Sequence, residues 1–379
     1  MMDLNPKIDQ LTILGVSYQF SNEFHGPRLK VLKADNSSRW SLKILPPALR
    51  AQAAEAIEVL NTVAPSSGLQ TCTRMMLNRE NCLELDRFPE LDGALLIPWV
   101  DGTLWHSFIT HKQPISSGKS LALAQTLAAA LKELESKQIA HCRLGGDTIL
   151  VGGLEPEENA RLELINFESL YHPQMPPPFS LPSVSAAYHP SWLGSGLWQV
   201  DADRFSAALL LAEILAWSDD RVRSLAYGSS YFPPGELQSF SRRYQTMLLV
   251  LVEHWGDKIA DLFVSAWESK SLADCPPVSE WSKVIGQPQV TIRSVEIPRR
   301  KTTKCPNCGK SVRKEWVVCK YCHNSLLQNL NGNDARSLSR TMPVSSRNLK
   351  PGRWPWMIFV MFLLAAFLFV LLVILMNGQ

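Results

Sequence analysis

The chain has 379 residues, with 38 Lys and Arg against 35 Asp and Glu, for a formal net charge of +3. That near balance removes any global electrostatic case for nucleic acid as a partner, and the composition is that of an ordinary globular protein with little low complexity. The region before residue 354 is long enough for one large or two ordinary domains. The start, Met1-Met2-Asp3-Leu4-Asn5, lacks the basic and apolar stretches of a secretory signal. Cys72, Cys82, Cys142 and Cys275 are scattered singly, as core cysteines of a reducing compartment are.

In chain order, Leu11 to Phe20, Leu29 to Lys33 and Trp40 to Leu45 read as strands. Pro46 and Pro47 open an Ala- and Glu-rich helix through Val63, since proline is tolerated in a first helical turn. Cys72 to Leu77 and Cys82 to Phe88 suggest a strand pair. Leu95 to Val100 is a short apolar strand that ends at Asp101-Gly102. A long helix follows from Gly118 to Lys137, with apolar residues at Leu121, Leu123, Leu127, Leu131 and Leu134. Beyond it the chain reads loop, strand, loop, strand and then mostly helix. Strands first and helices later predict an α+β domain with two lobes.

Several segments in this order carry a likeness. Ser41-Leu42-Lys43 ends a strand, and Glu55 and Glu58 lie on the helix after it. Ile139-Ala140-His141-Cys142-Arg143-Leu144-Gly145-Gly146-Asp147-Thr148 precedes an apolar strand, Ile149 to Val151. Leu162-Glu163-Leu164-Ile165-Asn166-Phe167-Glu168 follows, and Asp203-Arg204-Phe205-Ser206 opens an apolar helix. Over roughly residues 10 to 286 the chain resembles the protein kinase fold, bacterial serine/threonine kinase-like proteins in particular. The resemblance implies that Lys43 is the ATP-pairing lysine and that Glu55 or Glu58 is its helix glutamate. It also implies a hinge from Leu96 to Leu104 with Asp101 as a nucleotide contact, and a catalytic loop at His141 to Thr148. Asp203 would be the aspartate that opens the family's central helix, and Pro276 to Trp281 its closing segment.

The departures fall on the atoms that do chemistry. Phosphoryl transfer to a hydroxyl needs a carboxylate base, and that position is Arg143, a cation with no acceptor lone pair. The metal-binding asparagine aligns with Thr148. The aspartate of Asp-Phe-Gly aligns with Asn166, a much weaker ligand for a hard cation. The glycine-rich phosphate loop would lie between Gly15 and Gly26, where bulky residues fill the interval. The expectation is therefore a catalytically impaired domain, with no catalytic residue retained. Two positions keep ATP binding open. Lys43 is retained, though a strand lysine also pairs with a helix glutamate alone, and Asp147 beside Thr148 is either a metal ligand or a turn residue. Arg143 has a structural alternative, satisfying backbone carbonyls in an apolar pocket. Met175 to Pro182 is proline-rich and favours extended geometry, as a stiff connector or a partner ligand.

Cys305-Pro306-Asn307-Cys308 and Cys319-Lys320-Tyr321-Cys322 are two C-x2-C pairs ten residues apart. Four thiolates so spaced can surround one Zn²⁺ as a closed, structural ribbon, with iron–sulfur as the alternative. Residues 329 to 353 are polar, basic and without apolar periodicity, so they are expected to form a disordered tether. Their Ser339 and Thr341 stand in a basic context that an active kinase could modify. Met357 to Met376 holds no charge, proline or glycine. As an α-helix it would rise about 30 Å, the thickness of a bilayer core. Trp354 and Trp356 sit at its start, and Arg336, Arg340, Arg347, Lys350 and Arg353 flank it, which predicts a C-terminal anchor with the N-terminal region in the cytoplasm.

The expected organisation is a kinase-like domain at 1–290, a four-cysteine zinc ribbon at 291–328, a basic linker at 329–353 and a spanning segment at 354–379. The expected function is a membrane-held scaffold or signal relay that binds a partner protein, which the resemblance places among phosphoprotein-signalling components. Two alternatives stand beside it. One is an atypical active kinase that binds ATP through Lys43, and the other is a small-ligand sensor built on a kinase-derived cleft.

Overall fold

The computed structural model of the chain describes residues 10–25, 28–33, 39–178, 181–182, 185–190, 192–193, 197–286 and 302–313. The chain divides into two units, Met1–Val295 and Glu296–Gln379. The first opens with a six-stranded sheet in the order β1-β2-β3-β4-β6-β5. Its strands are β1 (Gln10–Ile13), β2 (Val16–His25), β3 (Arg28–Lys33), β4 (Arg39–Lys43), β5 (Met75–Met76) and β6 (Leu95–Pro98), and all neighbours are antiparallel. Alternation sets the buried face of β1: Leu11 and Ile13 point inward and join a small core with Leu42, Leu77, Leu85, Leu91 and Leu96. Helix α1 (Pro47–Leu60) lies between β4 and β5 in sequence and starts with Pro47 in its first turn, where a missing N–H costs nothing.

The sequence reading of one strand from Leu11 to Phe20 is corrected here. Leu14 and Gly15 both adopt positive φ, +50° and +76°, and break that stretch into a two-residue hairpin with Ile13 opposite Val16. Turns of that hand match the twist of paired strands. The expected strand pair at Cys72–Leu77 and Cys82–Phe88 is also largely absent. Gln70–Cys72 and Leu83–Asp86 are 3-10 turns; Met75 and Met76 join the sheet opposite Leu96 and Leu95, and Cys82 makes a single bridge to Ile13. Asn78 and Asn81 cause the break, because their side chains bond nearby backbone N–H groups and close a turn between the two segments.

The helical half begins after β7 (Thr103–Leu104) with α2 (Trp105–Thr110) and α3 (Ser117–Ser136). Ser116 caps α3 by accepting from the Lys119 N–H at 3.3 Å. Leu123, Leu127, Leu131 and Leu134 bury one stripe of α3, which packs against α4 (Arg204–Ala216) and α8 (Val278–Ile285). Strands β8 (Ile149–Gly152) and β9 (Arg161–Leu164) form a small sheet with β7, in register Thr103↔Val151 and Ile149↔Leu164. Every residue of α4 from Phe205 to Ala216 is buried, so the helix serves as the axis of this half. Against it pack α6 (Arg242–Trp255) and α7 (Asp257–Glu268), and α5 (Asp220–Leu225) packs on α6.

In the second unit, β10 (Thr302–Lys304) pairs with β11 (Ser311–Arg313) in register Thr302↔Arg313 and Lys304↔Ser311. Residues 329–379, with the expected tether and spanning segment, lie outside the described residues. Among the described residues no helix is long and apolar enough to cross a membrane.

Candidate functional site

The elements converge on the end of β4, the turn after β9 and the segment between Ile139 and Thr148. The last residue of β4, Lys43, sits opposite Leu95 of β6. Its Nζ donates to Asn166 Oδ1 at 3.0 Å and to Glu168 Oε2 at 2.8 Å. The expected helix glutamates do not take this role. Glu55 and Glu58 are both exposed on α1, because the buried stripe of that helix is Ala53, Ala56 and Leu60, and the acidic positions fall on the opposite side. A carboxylate thus does meet the strand lysine, but it comes from 125 residues further along the chain.

Glu168 is held from two sides. Its other oxygen accepts from Arg74 Nη1 at 3.3 Å. Arg74 is itself fully enclosed; its Nε and Nη2 donate to the Thr71 carbonyl at 3.0 and 2.6 Å, and its guanidinium lies 5.4 Å from the centre of the Phe167 ring. Burial alone would raise the Glu168 carboxyl, but the charges of Lys43 and Arg74, with the Lys43 hydrogen bond, outweigh it and hold the group at about 2. It is therefore an anion at any physiological pH. The backbone at Asn166 is left-handed, φ 68° and ψ 50°, a region asparagine tolerates better than most residues. That twist starts the Phe167–Ser169 turn and aims Glu168 back toward β4.

The loop from His141 to Thr148 is built on Asp203, at the N-terminal end of α4. The Asp203 carboxylate accepts from the backbone N–H of His141 and from that of Cys142, the latter at 2.9 Å. Cys142 has positive φ, and the two bonds hold it there. His141 is fully buried and its Nε2 donates to the Ile165 carbonyl at 2.8 Å; burial lowers its pKa, so it stays neutral. Its ring lies 4.9 Å from that of Phe167. Thr148 is buried too. Its hydroxyl donates to the Gly145 carbonyl at 2.9 Å and accepts from the Gly145 N–H at 3.1 Å, which closes the turn on itself.

Arg143 and Asp147, for each of which the sequence left two roles open, bind each other. Arg143 Nη2 donates to Asp147 Oδ2 at 2.9 Å, with side-chain exposures of 40% and 39%. The expectation that Arg143 satisfies backbone carbonyls gives way to a charge pair, since a carboxylate four residues on is a stronger acceptor than a carbonyl. Asp101 is placed near the opposite end of the cleft strand. It accepts from Trp99 Nε1 at 2.8 Å and pairs with Arg39 on β4.

Within the interval where the sequence places a phosphate loop, β2 and β3 pair from Tyr18↔Lys33 to Phe20↔Val31 and again at Phe24↔Leu29 and His25↔Arg28, with a register shift between Phe20 and Phe24.

Two buried acids were given no role in the sequence reading. Glu213 on α4 accepts from Trp105 Nε1 at 2.6 Å, Tyr188 Oη at 2.9 Å and the Tyr231 N–H at 2.7 Å. Burial still pushes it up to about 7. Glu163 on β9 accepts from the Thr71 N–H at 2.7 Å, and burial likewise raises it to about 7. Neither carries a motif; each is one acidic residue inside an apolar run. Glu168 was visible as a bulky acid in the place of the glycine in Asp-Phe-Gly, and Arg74 had no signal at all.

In the second unit, the described part of the cysteine cluster is Cys305 and Cys308. The Cys305 N–H donates to the Lys310 carbonyl at 2.9 Å, and the Gly309 N–H donates to the Cys305 carbonyl at 2.9 Å. Gly309 takes φ +69°, which glycine alone adopts without cost. This tight turn between paired strands brings the two cysteines to one end of a hairpin, the arrangement a C-x2-C half-site needs. Cys319 and Cys322 lie outside the described residues, and among the described residues no three His, Cys, Asp or Glu side chains are grouped to hold a metal.

No protein-family model matches the chain, and no curated protein matches it. Among solved structures, the chain is similar to one described as the crystal structure of Rad53 kinase domain and SCD2. The identity is 13%, with 73% of this chain and 91% of that one covered and a TM-score of 0.44. It is also similar to a chain of the yeast RNA Pol II CTD kinase CTDK-1 complex, at 12% identity, 75% and 94% coverage and a TM-score of 0.47.

Proposed function

We propose that the chain is a kinase-like protein that has lost phosphotransfer and works as a scaffold or signal-relay module through protein–protein binding. The observation that carries this reading is the pairing of Arg143 with Asp147 at 2.9 Å: where phosphotransfer needs a proton acceptor stands a cation, and it holds the carboxylate beside it. The other positions support it. Asn166 offers metal only a neutral amide, and Thr148 is consumed by its own turn. What survives is the framework: Asp203 still fixes the His141–Cys142 backbone, and His141 still packs on Phe167. A framework kept without its reactive groups suits a binding role.

The same proposal extends to the rest of the chain. Cys305, Cys308, Cys319 and Cys322 would hold one structural Zn²⁺, which the Cys305–Gly309 turn fits. Residues 357–376 would anchor the protein in a membrane with its N-terminal region on the cytoplasmic side, and the partner would be a phosphoprotein-signalling component.

The test is thermal stability of the detergent-solubilised full chain against ATP, with and without Mg²⁺, alongside a phosphotransfer assay with the same sample. A ligand at a hundred times its Kd adds about 2.7 kcal/mol, so even weak binding registers. No shift with Mg²⁺-ATP and no label transfer is the expected result. A Mg²⁺-dependent shift together with autophosphorylation would replace this reading with that of an atypical kinase.

A further inference from the structure

Ser224 lies where the ends of two short helices meet. It is exposed in the last turn of α5, and its carbonyl accepts from the Lys112 ammonium at 3.3 Å. Lys112 is exposed too and follows α2 in left-handed backbone, φ +50°, with its N–H on the Ile109 carbonyl at 2.8 Å. This contact joins the end of α2 to the end of α5. The cations near Ser224 are used unequally. Arg221 binds Asp219 and Glu253, and Arg223 binds Asp220. Lys112 spends its charge on a neutral carbonyl, a weaker acceptor than an anion.

We propose that Ser224 is a phosphorylation site whose phosphate is received by Lys112, which fastens α5 to the end of α2. Ser224 follows Arg221 by three residues and Arg223 by one, a cationic approach that an acidic substrate groove reads. Its Oγ donates within its own turn, to the Arg221 carbonyl at 3.0 Å, and faces solvent. A separate serine/threonine kinase supplies the group from ATP. The Oγ–P bond forms as the bond from the γ-phosphorus to the β–γ bridging oxygen breaks, the hydroxyl proton passes to that kinase's base, and ADP leaves. Because carbonyl and hydroxyl belong to one residue, the new phosphate comes within reach of the ammonium that already sits on Ser224. Two effects oppose it: the C-terminal end of a helix disfavours an anion, and Asp220 stands four residues back. Helix α5 has six residues, so its dipole is small. Asp220 is 93% exposed and paired with Arg223, so water and the guanidinium screen it. Charge-assisted bonds from Lys112, with Arg221 one turn back, outweigh both. Another enzyme supplies the phosphate, so the site stands whether or not this domain transfers phosphate itself.

The test has two arms, both on the detergent-solubilised full chain. In the first, a serine/threonine kinase selective for arginine-preceded serines acts with Mg²⁺-ATP, and tandem mass spectrometry maps the label. Phosphate on Ser224 is expected. No label there, while a standard peptide in the same tube is labelled, overturns the proposal. In the second, phosphoserine is encoded genetically at position 224 and its ³¹P resonance is titrated with pH. Phosphoserine ordinarily takes its second ionisation near about 6. Beside an ammonium the midpoint should fall by about half a pH unit, and Lys112→Asn should return it to the ordinary value. Asparagine is chosen because it tolerates the left-handed backbone while removing the charge. Lys112→Arg should keep the lowered midpoint. An ordinary midpoint in the otherwise native chain, or a lowered one that survives Lys112→Asn, overturns the proposal. Failure of the scaffold reading would be seen separately, as phosphotransfer by the native chain with no added kinase.

Discussion

Lys43 and Glu168 stand 125 residues apart in sequence and 2.8 Å apart in space, and their pairing ties β4 of the sheet to the turn that follows β9. Arg74 joins from a third segment. Removing one partner of a buried ion pair leaves the others uncompensated, at a typical cost of about 3–5 kcal/mol. Glu168→Ala should fall in that range in urea denaturation of the full chain, and a loss below about 1 kcal/mol would mean the cluster is solvated in solution.

Arg143 and Asp147 offer the contrast. Both are more than a third exposed, so water screens their attraction. Arg143→Ala should change stability by no more than about 1 kcal/mol in the same denaturation series. If it costs as much as Glu168→Ala, the pair is buried by something bound over it.

The acid limb of the stability curve follows from Glu168. Its folded pKa of about 2 lies below the ordinary glutamate value, so it contributes stability that is fully present above about pH 4.5 and is lost as pH falls toward 2. Circular dichroism melts between pH 5 and pH 2 should show that loss in wild type and a shallower one in Glu168→Gln.

Glu213 and Glu163 act with the opposite sign. Both have folded pKa values near 7, above the unfolded value, so their contribution is complete below about pH 4.5 and is lost as pH rises through 7. Melting temperature should therefore decline between pH 5 and pH 8. Glu163→Gln, whose single bond from the Thr71 N–H an amide oxygen can still accept, should flatten part of that slope. A slope unchanged in this variant would place the titration elsewhere.

For the cysteine pairs, the expected outcome is one zinc per chain by elemental mass spectrometry, lost in Cys308→Ser. Because Cys308 belongs to the Glu296–Gln379 unit, the main unfolding transition of the Met1–Val295 unit should stay in place. A transition that moves with zinc removal would show that the two units are energetically coupled.

How far the sequence could be read depends on whether a signal was local. Strands and helices with strong periodicity or punctuation were legible: the span Gly118–Lys137 is met by Ser117–Ser136, and the helix opening at Pro47 starts there. Asp203 was singled out only through the resemblance, as the residue that opens an apolar helix; its carboxylate bonds the loop backbone at Cys142. Long-range pairings were not. Nothing in the order of residues says that Glu168 outcompetes Glu58 for Lys43, because that choice depends on the direction α1 turns its acidic side and on the left-handed backbone at Asn166. The Leu14-Gly15 break was missed for a related reason: leucine seldom enters the left-handed region, so only Gly15 hinted at a turn.

Helix α4 is enclosed on every side from Phe205 to Ala216. A segment that apolar has no solvent-facing edge to fall back on, so this half of the domain cannot be trimmed from its C-terminal end in steps. Proteolytic fragments that retain α4 but end before Trp281 would display it to water and should be recovered as aggregates, while cuts in the sheet-bearing half should leave soluble pieces. Limited proteolysis followed by sedimentation would map that asymmetry directly.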